Sequence, residues 1–177
     1  MTRVLFVITE DWALISHRLH LVRYAIDAGF EVAVATKLGL YRTQLENLGI
    51  AVFDWPIRRG ALNPINQFAA VARLGKIIRQ FKPQIIHAVA LKPVIYTGIA
   101  TRFRFDIAVV SARGGVGYIF SSTNLKARIL RIPTITLLRF ALSGRRRRLI
   151  MQNIDDLKMF LRADVISPEY IYLVKGA

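Results

Sequence analysis

The sequence predicts an α/β fold, with one doubly wound domain whose sheet has about seven mainly parallel strands. Segments rich in β-branched and apolar residues alternate along the 177 residues with segments whose apolar residues have helical spacing. The first such segment, residues 3–9, is apolar at nearly every position, which is typical of a strand buried on both faces. With 54% apolar and 21% charged residues, the chain can bury a core. Its length fits one domain, residues 1–177.

Each element follows from a local pattern. Residues 17–28 place apolar side chains on one helical face and end at Gly29, which predicts a helix. A second helix begins with Pro64 in its first turn, and residues 124–143 predict a helix that begins or kinks at Pro133. Strands separated by helices imply parallel pairing. The predicted strands are 3–9, 31–36, 51–54, 85–87, 107–112, 149–152 and 170–175, and the predicted helices are 17–28, 41–47, 64–81, 94–103, 124–143 and 155–162.

Several classes of protein and site are excluded. The chain has no cysteine, so a disulfide framework, a thiolate zinc site and a cysteine nucleophile are ruled out, and a reducing compartment fits. We find no metal-ligand cluster and no phosphate loop, and therefore predict no metal. Residues 1–8 lack the features of a secretory signal, and the longest apolar stretch, 132–142, is shorter than the roughly 20 residues of a membrane span.

The net charge of +15 is concentrated in one segment. Between Lys126 and Arg148 there are eight Lys or Arg and no acid. Such a segment predicts an anionic partner, and nucleic acid, lipid headgroups and phosphorylated substrates all fit. The alternative is a solvated basic face.

Candidate site residues follow the strands, because ligands of open parallel sheets bind beyond the carboxyl ends of the strands. This rule selects Glu10, Asp11, Ser16, His17 and Arg18 after the first strand, His87 and Lys92 after the fourth, and residues 113–120 after the fifth.

The acids after the first strand suit a polyhydroxylated ligand. Glu10 and Asp11 offer acceptor oxygens, or a base toward a hydroxyl; Asp11 is alternatively a solvated loop acid. Ser16 is alternatively a helix N-cap. We predict that His17 begins a helix, where the helix dipole disfavours protonation and the ring acts as a neutral hydrogen-bonding group, although an ordinary surface histidine fits as well.

The later candidates face the same edge. His87 ends an apolar strand. A histidine at such a position is more often a hydrogen-bonded interior residue than a catalytic one, but its place at the edge where ligands bind is also compatible with catalysis. Lys92 precedes Pro93 and could meet a phosphate near a helix N-terminus. The glycines of residues 113–117 let the backbone approach a ligand closely and provide free amides that can bind an anion. They are no dinucleotide fingerprint, which would follow the first strand.

Together these motifs resemble the N-terminal domain of family-4-like retaining glycosyltransferases of the GT-B type, which have two facing Rossmann-like domains and build bacterial surface polysaccharides such as lipopolysaccharide. The resemblance spans the whole chain. It is carried by residues 9–12, 16–18, 58–60, 62–64, 87, 91–94, 96–98, 115–120, 152–153 and 155–156.

The resemblance implies a hexosyltransferase that moves a sugar from a nucleotide-diphosphate sugar to a lipid-linked or oligosaccharide acceptor with retention, without a metal or other cofactor. It implies that His87 and Glu10 are catalytic. It implies that the acceptor is bound by Asp11, Ser16, His17 and Arg18, and that the residues facing the donor phosphates are Lys92, Arg113, Gly115 and Gly117. Many relatives carry a second histidine where this chain has Val89. The donor-binding C-terminal domain is expected to be absent, which leaves the chain inactive alone.

The resemblance also implies a peripheral position on the cytoplasmic face of the inner membrane, beside a polyprenyl-phosphate-linked acceptor. The membrane-facing basic residues are Lys126, Arg128, Arg131, Arg145, Arg146 and Arg147. Two alternatives stay open. A basic nucleic-acid-binding protein is disfavoured because the aromatic residues are expected on core faces. A degenerate interaction domain predicts an exposed apolar patch.

Overall fold

The computed structural model describes residues 1–57, 63–113 and 124–174. These residues contain a seven-stranded, all-parallel sheet, which confirms the predicted α/β class. Its strands are β1 (Arg3–Glu10), β2 (Glu31–Lys37), β3 (Ala51–Asp54), β4 (Ile85–Val89), β5 (Ala108–Arg113), β6 (Arg147–Met151) and β7 (Ile171–Leu173). Their order in the sheet is β3-β2-β1-β4-β5-β6-β7, so the chain reverses direction after β3 and crosses to the other side of β1.

Helices connect the strands on both faces of the sheet. They are α1 (Asp11–His17), α2 (Leu19–Asp27), α3 (Arg42–Glu46), α4 (Pro64–Phe81), α5 (Leu91–Ala100), α6 (Leu125–Leu142) and α7 (Ile154–Arg162), followed by a short 3₁₀ turn, Pro168–Tyr170. Alternate residues of a strand point to opposite faces. Phe6 of β1 accordingly packs in the cluster that includes α1, α2 and α3, whereas Leu5 lies in the cluster with α4 to α7.

The first predicted helix, over 17–28, corresponds to α2, and the structure adds α1 before it. α1 begins directly after β1, and the chain leaves helical geometry at Arg18, whose φ and ψ are −134° and −1°. The Arg18 amide donates to the carbonyl of Leu14 at 2.8 Å, which closes α1 before α2 begins. The prediction of one helix over 17–28 was therefore wrong at its start, because the buried pair Ala13 and Leu14 already belongs to a helix.

Two later boundaries also differ. β4 continues past His87 to Val89, and α5 begins at Leu91 rather than at residue 94. Between them Ala90 has φ 83° and ψ 166°, a backbone conformation that an alanine rarely adopts. This sharp turn lets the helix begin at once after the strand.

α6 does not begin at Pro133 but runs through it. Pro133 lies on the exposed side of the helix, where a carbonyl that lacks its amide partner can meet solvent. With 18 residues, α6 is about 27 Å long. It follows β5 and precedes β6, so it returns from the carboxyl edge of the sheet to the amino edge. The basic segment is thereby divided: Lys126, Arg128 and Arg131 belong to the first turns of α6, and Arg145 and Arg146 follow its far end.

Candidate functional site at the carboxyl edge of the sheet

The carboxyl ends of β1, β2 and β4 lie side by side in the sheet. Glu10, the last residue of β1, is in register with Lys37, the last residue of β2. On the other side of β1, Val7 pairs with Ala88, two residues before the turn at Ala90. The segments that follow these strands therefore border one edge, as the sequence predicts.

Asp11 is buried at this edge and bonded to backbone amides. Its side chain is only 4% exposed. Oδ2 accepts from the amides of Gly39 at 2.7 Å and Tyr41 at 3.1 Å, and Oδ1 accepts from the amide of Trp12 at 2.8 Å. The alternative of a solvated loop acid is therefore wrong: the carboxylate holds the segment after β2 against the start of α1. Its predicted contact with an acceptor stays a prediction.

Glu10, Trp12 and His17 form a second group, on the accessible side of α1. The indole N–H of Trp12 donates to Oε2 of Glu10. The Trp12 ring stands edge to face with the His17 ring, with centroids 6.2 Å apart. Trp12 is 41% exposed and was not among the predicted site residues, although an accessible aromatic side chain directly after a strand is a signal that sequence reasoning could have used.

Ser16 and His17 are placed differently from the prediction. Both lie at the carboxyl end of α1 rather than at a helix start, so Ser16 is not the N-cap of that helix. The prediction that His17 begins a helix was therefore wrong, because His17 is the last residue of α1. Both side chains are exposed at the same edge.

Arg18 and His87 are coupled electrostatically. Arg18 sits at the break between α1 and α2 and is partly buried, and its Nε has no hydrogen-bond partner in the part of the chain that the structure describes. Burial lowers the pKa of this guanidinium. Its positive charge also disfavours protonation of His87.

His87 lies inside the sheet layer rather than at its rim. Its side chain is 7% exposed, and its ring packs edge to face on Phe6 with centroids 5.5 Å apart. Burial, aided by the Arg18 charge, lowers the pKa of His87 to about 4, while a hydrogen bond with the Val110 backbone acts in the opposite direction. The ring is therefore neutral at physiological pH. The prediction that His87 ends its strand was wrong, because β4 continues for two residues.

Of the residues predicted to face the donor, the structure describes only some. Lys92 is the second residue of α5, and burial lowers the pKa of its ammonium. The side chain of Arg113 and all of Gly115 and Gly117 lie outside the described residues, as do residues 58–62 of the family motif.

The later basic residues lie at the opposite, amino edge. Arg147 is buried and donates to the carbonyl and the hydroxyl of Thr101, each at 3.0 Å. Arg146 donates to the carbonyl of Asp106 at 3.0 Å, and Arg145 is exposed. Arg131 is half-buried on α6, and the side chains of Lys126 and Arg128 are outside the described part.

Two further properties concern metals and membranes. Within residues 1–57, 63–113 and 124–174, His, Asp and Glu form no group of three that could hold a metal ion. None of the helices in these ranges combines the length and apolar character needed to cross a bilayer.

A doubly wound parallel sheet with helices on both faces defines a Rossmann-like domain. Residues 3–153 match the family described as Glycosyl transferase 4-like. The chain belongs to this family, which confirms the predicted likeness to family-4-like glycosyltransferases.

Solved structures show the same fold. MurG of Acinetobacter baumannii superimposes with a TM-score of 0.63 at 13% identity, over 100% of this chain and 46% of that one. HepE of Anabaena, solved with UDP and glucose, gives 0.60 at 17% identity, over 100% and 45%. A UDP-N-acetylglucosamine 2-epimerase gives 0.67 at 14% identity, over 99% and 48%. The chain spans less than half of each of these proteins. No curated protein sequence matches it.

Proposed function

We propose that this domain forms the acceptor side of a glycosyltransferase that moves a hexose from a nucleotide-diphosphate sugar to an acceptor hydroxyl with retention of configuration. The family match supports the transferase class. One observation carries the proposal: an acid and a partly buried cation lie at the same edge of the sheet. The acid is Glu10, which accepts a hydrogen bond from the Trp12 indole, and the cation is Arg18. A sugar acceptor needs hydrogen-bond acceptors for its hydroxyls, and a diphosphate leaving group needs positive charge.

The reaction makes one bond and breaks one bond at the same carbon. The acceptor oxygen bonds to the anomeric carbon of the donor, the bond from that carbon to the diphosphate oxygen breaks, and the hydroxyl proton leaves. The electron pair of the broken bond stays on the diphosphate, whose added negative charge favours a site lined by cations. Arg18 and Lys92 are the cations of this chain at the carboxyl edge that we assign to that charge.

Glu10 and His87 take different roles in this proposal. Glu10 lies at the rim, held by the Trp12 indole, and accepts the hydrogen bond or the proton of the acceptor hydroxyl. His87 is almost fully buried and neutral, so we assign it to positioning: its uncharged ring lies beside Arg18 without competing for the same anion. Ser16 and His17, exposed on the same helix, add contacts to the acceptor.

The remaining partners are part of the same proposal. The nucleotide of the donor is bound mainly by a second α/β domain that faces this edge. The acceptor is a lipid-linked oligosaccharide at the cytoplasmic face of the membrane. In support of this arrangement, the fold is shared with much longer proteins, one of them solved with UDP and glucose.

The test is a transfer assay with the intact gene product. UDP-, GDP- and TDP-sugars are offered together with lipid-linked oligosaccharides, and the anomeric configuration of the product is read by NMR. We expect Arg18→Gln to lower kcat/KM by about 100-fold, the scale of losing one charge-stabilising donor. Arg23→Gln, an exposed arginine on α2, is the matched control and should leave kcat/KM unchanged. Equal kcat/KM for both variants, or no transfer from any donor, would contradict the proposal.

A further inference from the structure

A cleft at the amino edge of the sheet is lined by five arginines. It lies between the turn that follows α5 and the segment that joins α6 to β6, and its volume is about 560 Å³. Small-molecule sites in proteins have volumes of roughly 300 to 1,000 Å³, so this cleft is large enough for a ligand of that kind. We call it the arginine cleft, after Arg102, Arg104, Arg145, Arg146 and Arg147.

One of these arginines is buried without a negative partner. Arg147 is only 7% exposed. Two of its five N–H groups donate to the hydroxyl and the carbonyl of Thr101, each at 3.0 Å, and both of these acceptors are uncharged. Arg147 forms no ion pair with any residue that the structure describes. Burial, aided by the positive charge of Arg102, lowers the pKa of Arg147. Since a buried charge without a counter-ion destabilises a fold, an anion in the cleft would stabilise this one.

The neighbouring arginines add positive charge that the described part of the chain does not neutralise. Among the five, only Arg104 has a carboxylate partner there, Asp106 at 2.8 Å. Arg102 is held in place by a hydrogen bond of 2.5 Å to the Ser143 hydroxyl. From residue 107 to residue 154 the sequence contains no acid at all. Four positive charges are thus left for an outside anion, whereas a single phosphate group carries a charge of about −2. The cleft therefore suits a ligand with two or more phosphates.

Two phenylalanines border the same cleft. Phe103 and Phe105 alternate with arginines along the turn after α5, and they are 84% and 80% exposed. An exposed aromatic ring beside a guanidinium provides a face on which a planar base stacks. A nucleic-acid strand uses a row of such rings along its length, whereas here two rings border one cleft. Aromatic rings beside unpaired guanidinium groups therefore fit a single base with its phosphates.

We propose that the arginine cleft binds a soluble nucleotide with two or more phosphates, with the phosphates on the arginines and the base against one of the two phenylalanines. Arginine matches phosphate geometry with two parallel hydrogen bonds. Gly144 leaves one side of Arg147 uncovered, because a Cβ at this position would lie 3.5 Å from Nε of Arg147. The six residues of β5 place the cleft about 20 Å from the carboxyl edge. The bound nucleotide is therefore not the sugar donor of the proposed transfer, and the inference does not rest on the proposed function.

The experiment is a calorimetric titration of the 177-residue chain with ADP, pyrophosphate and adenosine. We expect ADP to bind, and to bind more weakly as salt is added. Pyrophosphate should bind about tenfold more weakly than ADP, because it has no base to stack on a ring. Adenosine, which has no phosphate, should not bind. Because a ligand that binds only the folded chain stabilises it, ADP should also raise the Tm.

Variants separate the phosphate contacts from the base contact. Arg145→Gln, at an exposed position, should lower the affinity for both ADP and pyrophosphate about tenfold. The double variant Phe103→Ser with Phe105→Ser should lower the affinity for ADP about tenfold and leave that for pyrophosphate unchanged. The matched controls are Arg79→Gln and Phe68→Ser on α4, both exposed and outside the cleft. Both controls should bind ADP as the unmodified chain does.

Three results would overturn the inference: no ADP binding at low salt, equal losses in the test and control variants, or ADP binding that is lost in Arg18→Gln but kept in Arg145→Gln. The last result would place the nucleotide at the carboxyl edge. Binding to phosphatidylglycerol vesicles or to an RNA oligonucleotide that excess ADP does not displace and that Arg145→Gln abolishes would overturn it in favour of those partners. Far-UV circular dichroism confirms that each variant is folded. Because the titration contains neither a sugar donor nor an acceptor, the inference and the proposed function fail separately.

Discussion

Removing the Asp11 carboxylate should destabilise the domain and also make room for a side chain at position 39. Asp11→Ala leaves the amides of Gly39 and Tyr41 without their acceptor. A buried donor without a partner costs roughly 1 to 3 kcal/mol, so we expect a loss of about 3 kcal/mol in the free energy of unfolding. Gly39→Ala acts on the same contact, because its new Cβ would lie 2.8 Å from Oδ1 of Asp11. Such overpacking costs about 2 kcal/mol.

The two substitutions should not add. Once the carboxylate is gone, the methyl group at position 39 has room, so the double variant should lose about 3 kcal/mol rather than the summed value of about 5 kcal/mol. Urea unfolding of the four proteins, followed by circular dichroism, gives the coupling energy. Additive losses would show that the carboxylate does not hold the segment after β2, and would refute the structural role given to Asp11.

Three further predictions concern packing, pH and capping. Gly98→Ala should lower the midpoint of urea unfolding by an amount equivalent to about 3 kcal/mol, because its Cβ would lie within 2.6 Å of the backbone of α6. Gly75→Ala in α4 should raise the midpoint, because its Cβ would meet only the end of the Arg79 side chain, at 3.7 Å. A larger loss for Gly75→Ala than for Gly98→Ala would contradict the packing. The folded-state pKa of His87 is depressed to about 4 from 6.5, so its stabilisation is present above pH 6.5 and is lost as pH falls toward 4. We expect the free energy of unfolding to fall by about 3 kcal/mol over this pH range, as measured by urea unfolding. If the free energy of unfolding of His87→Gln depended on pH as strongly as that of the unmodified chain, the prediction would be contradicted. Asn153→Ala should lower the free energy of unfolding by about 1 kcal/mol, since Oδ1 of Asn153 accepts from the Asp156 amide at 2.8 Å. Thermal unfolding measures the change, and an unchanged Tm would show that this cap does not stabilise α7.

The architecture could be predicted because each strand and most helices have a recognisable local pattern of apolar residues. Continuous apolar runs such as residues 3–9 identify strands buried on both faces, and the helical segments between them require parallel pairing. Local patterns could not give the break at Arg18. The apolar spacing indicated a helix only from residue 17, whereas α1 begins directly at the end of β1.

The role of Asp11 lay beyond the sequence for a different reason. Its partners are amides of residues 28 and 30 positions later, and nothing in the neighbouring residues indicates which segment β2 delivers to the edge. Arg18 and His87 were each singled out, but their coupling depends on the pairing of β1 with β4, which only the strand order reveals.

Two expectations about the surface were wrong. The aromatic residues were expected on core faces, yet Phe103 and Phe105 are exposed among arginines, because the turn that carries them projects beyond the amino edge of the sheet. The basic residues between Lys126 and Arg148 were treated as one segment. They lie at both ends of a helix about 27 Å long, so no single compact ligand contacts them all.

The most direct test of the central claim is to locate a sugar-bearing ligand on the domain. Amide chemical shifts of the ¹⁵N-labelled chain are followed while a water-soluble oligosaccharide diphosphate is added. If the carboxyl edge binds the acceptor, the shifts change at residues 10–18 and 37–41, and Arg18→Gln abolishes the change. Changes confined to residues 101–106 and 143–147, at the amino edge, would contradict the account.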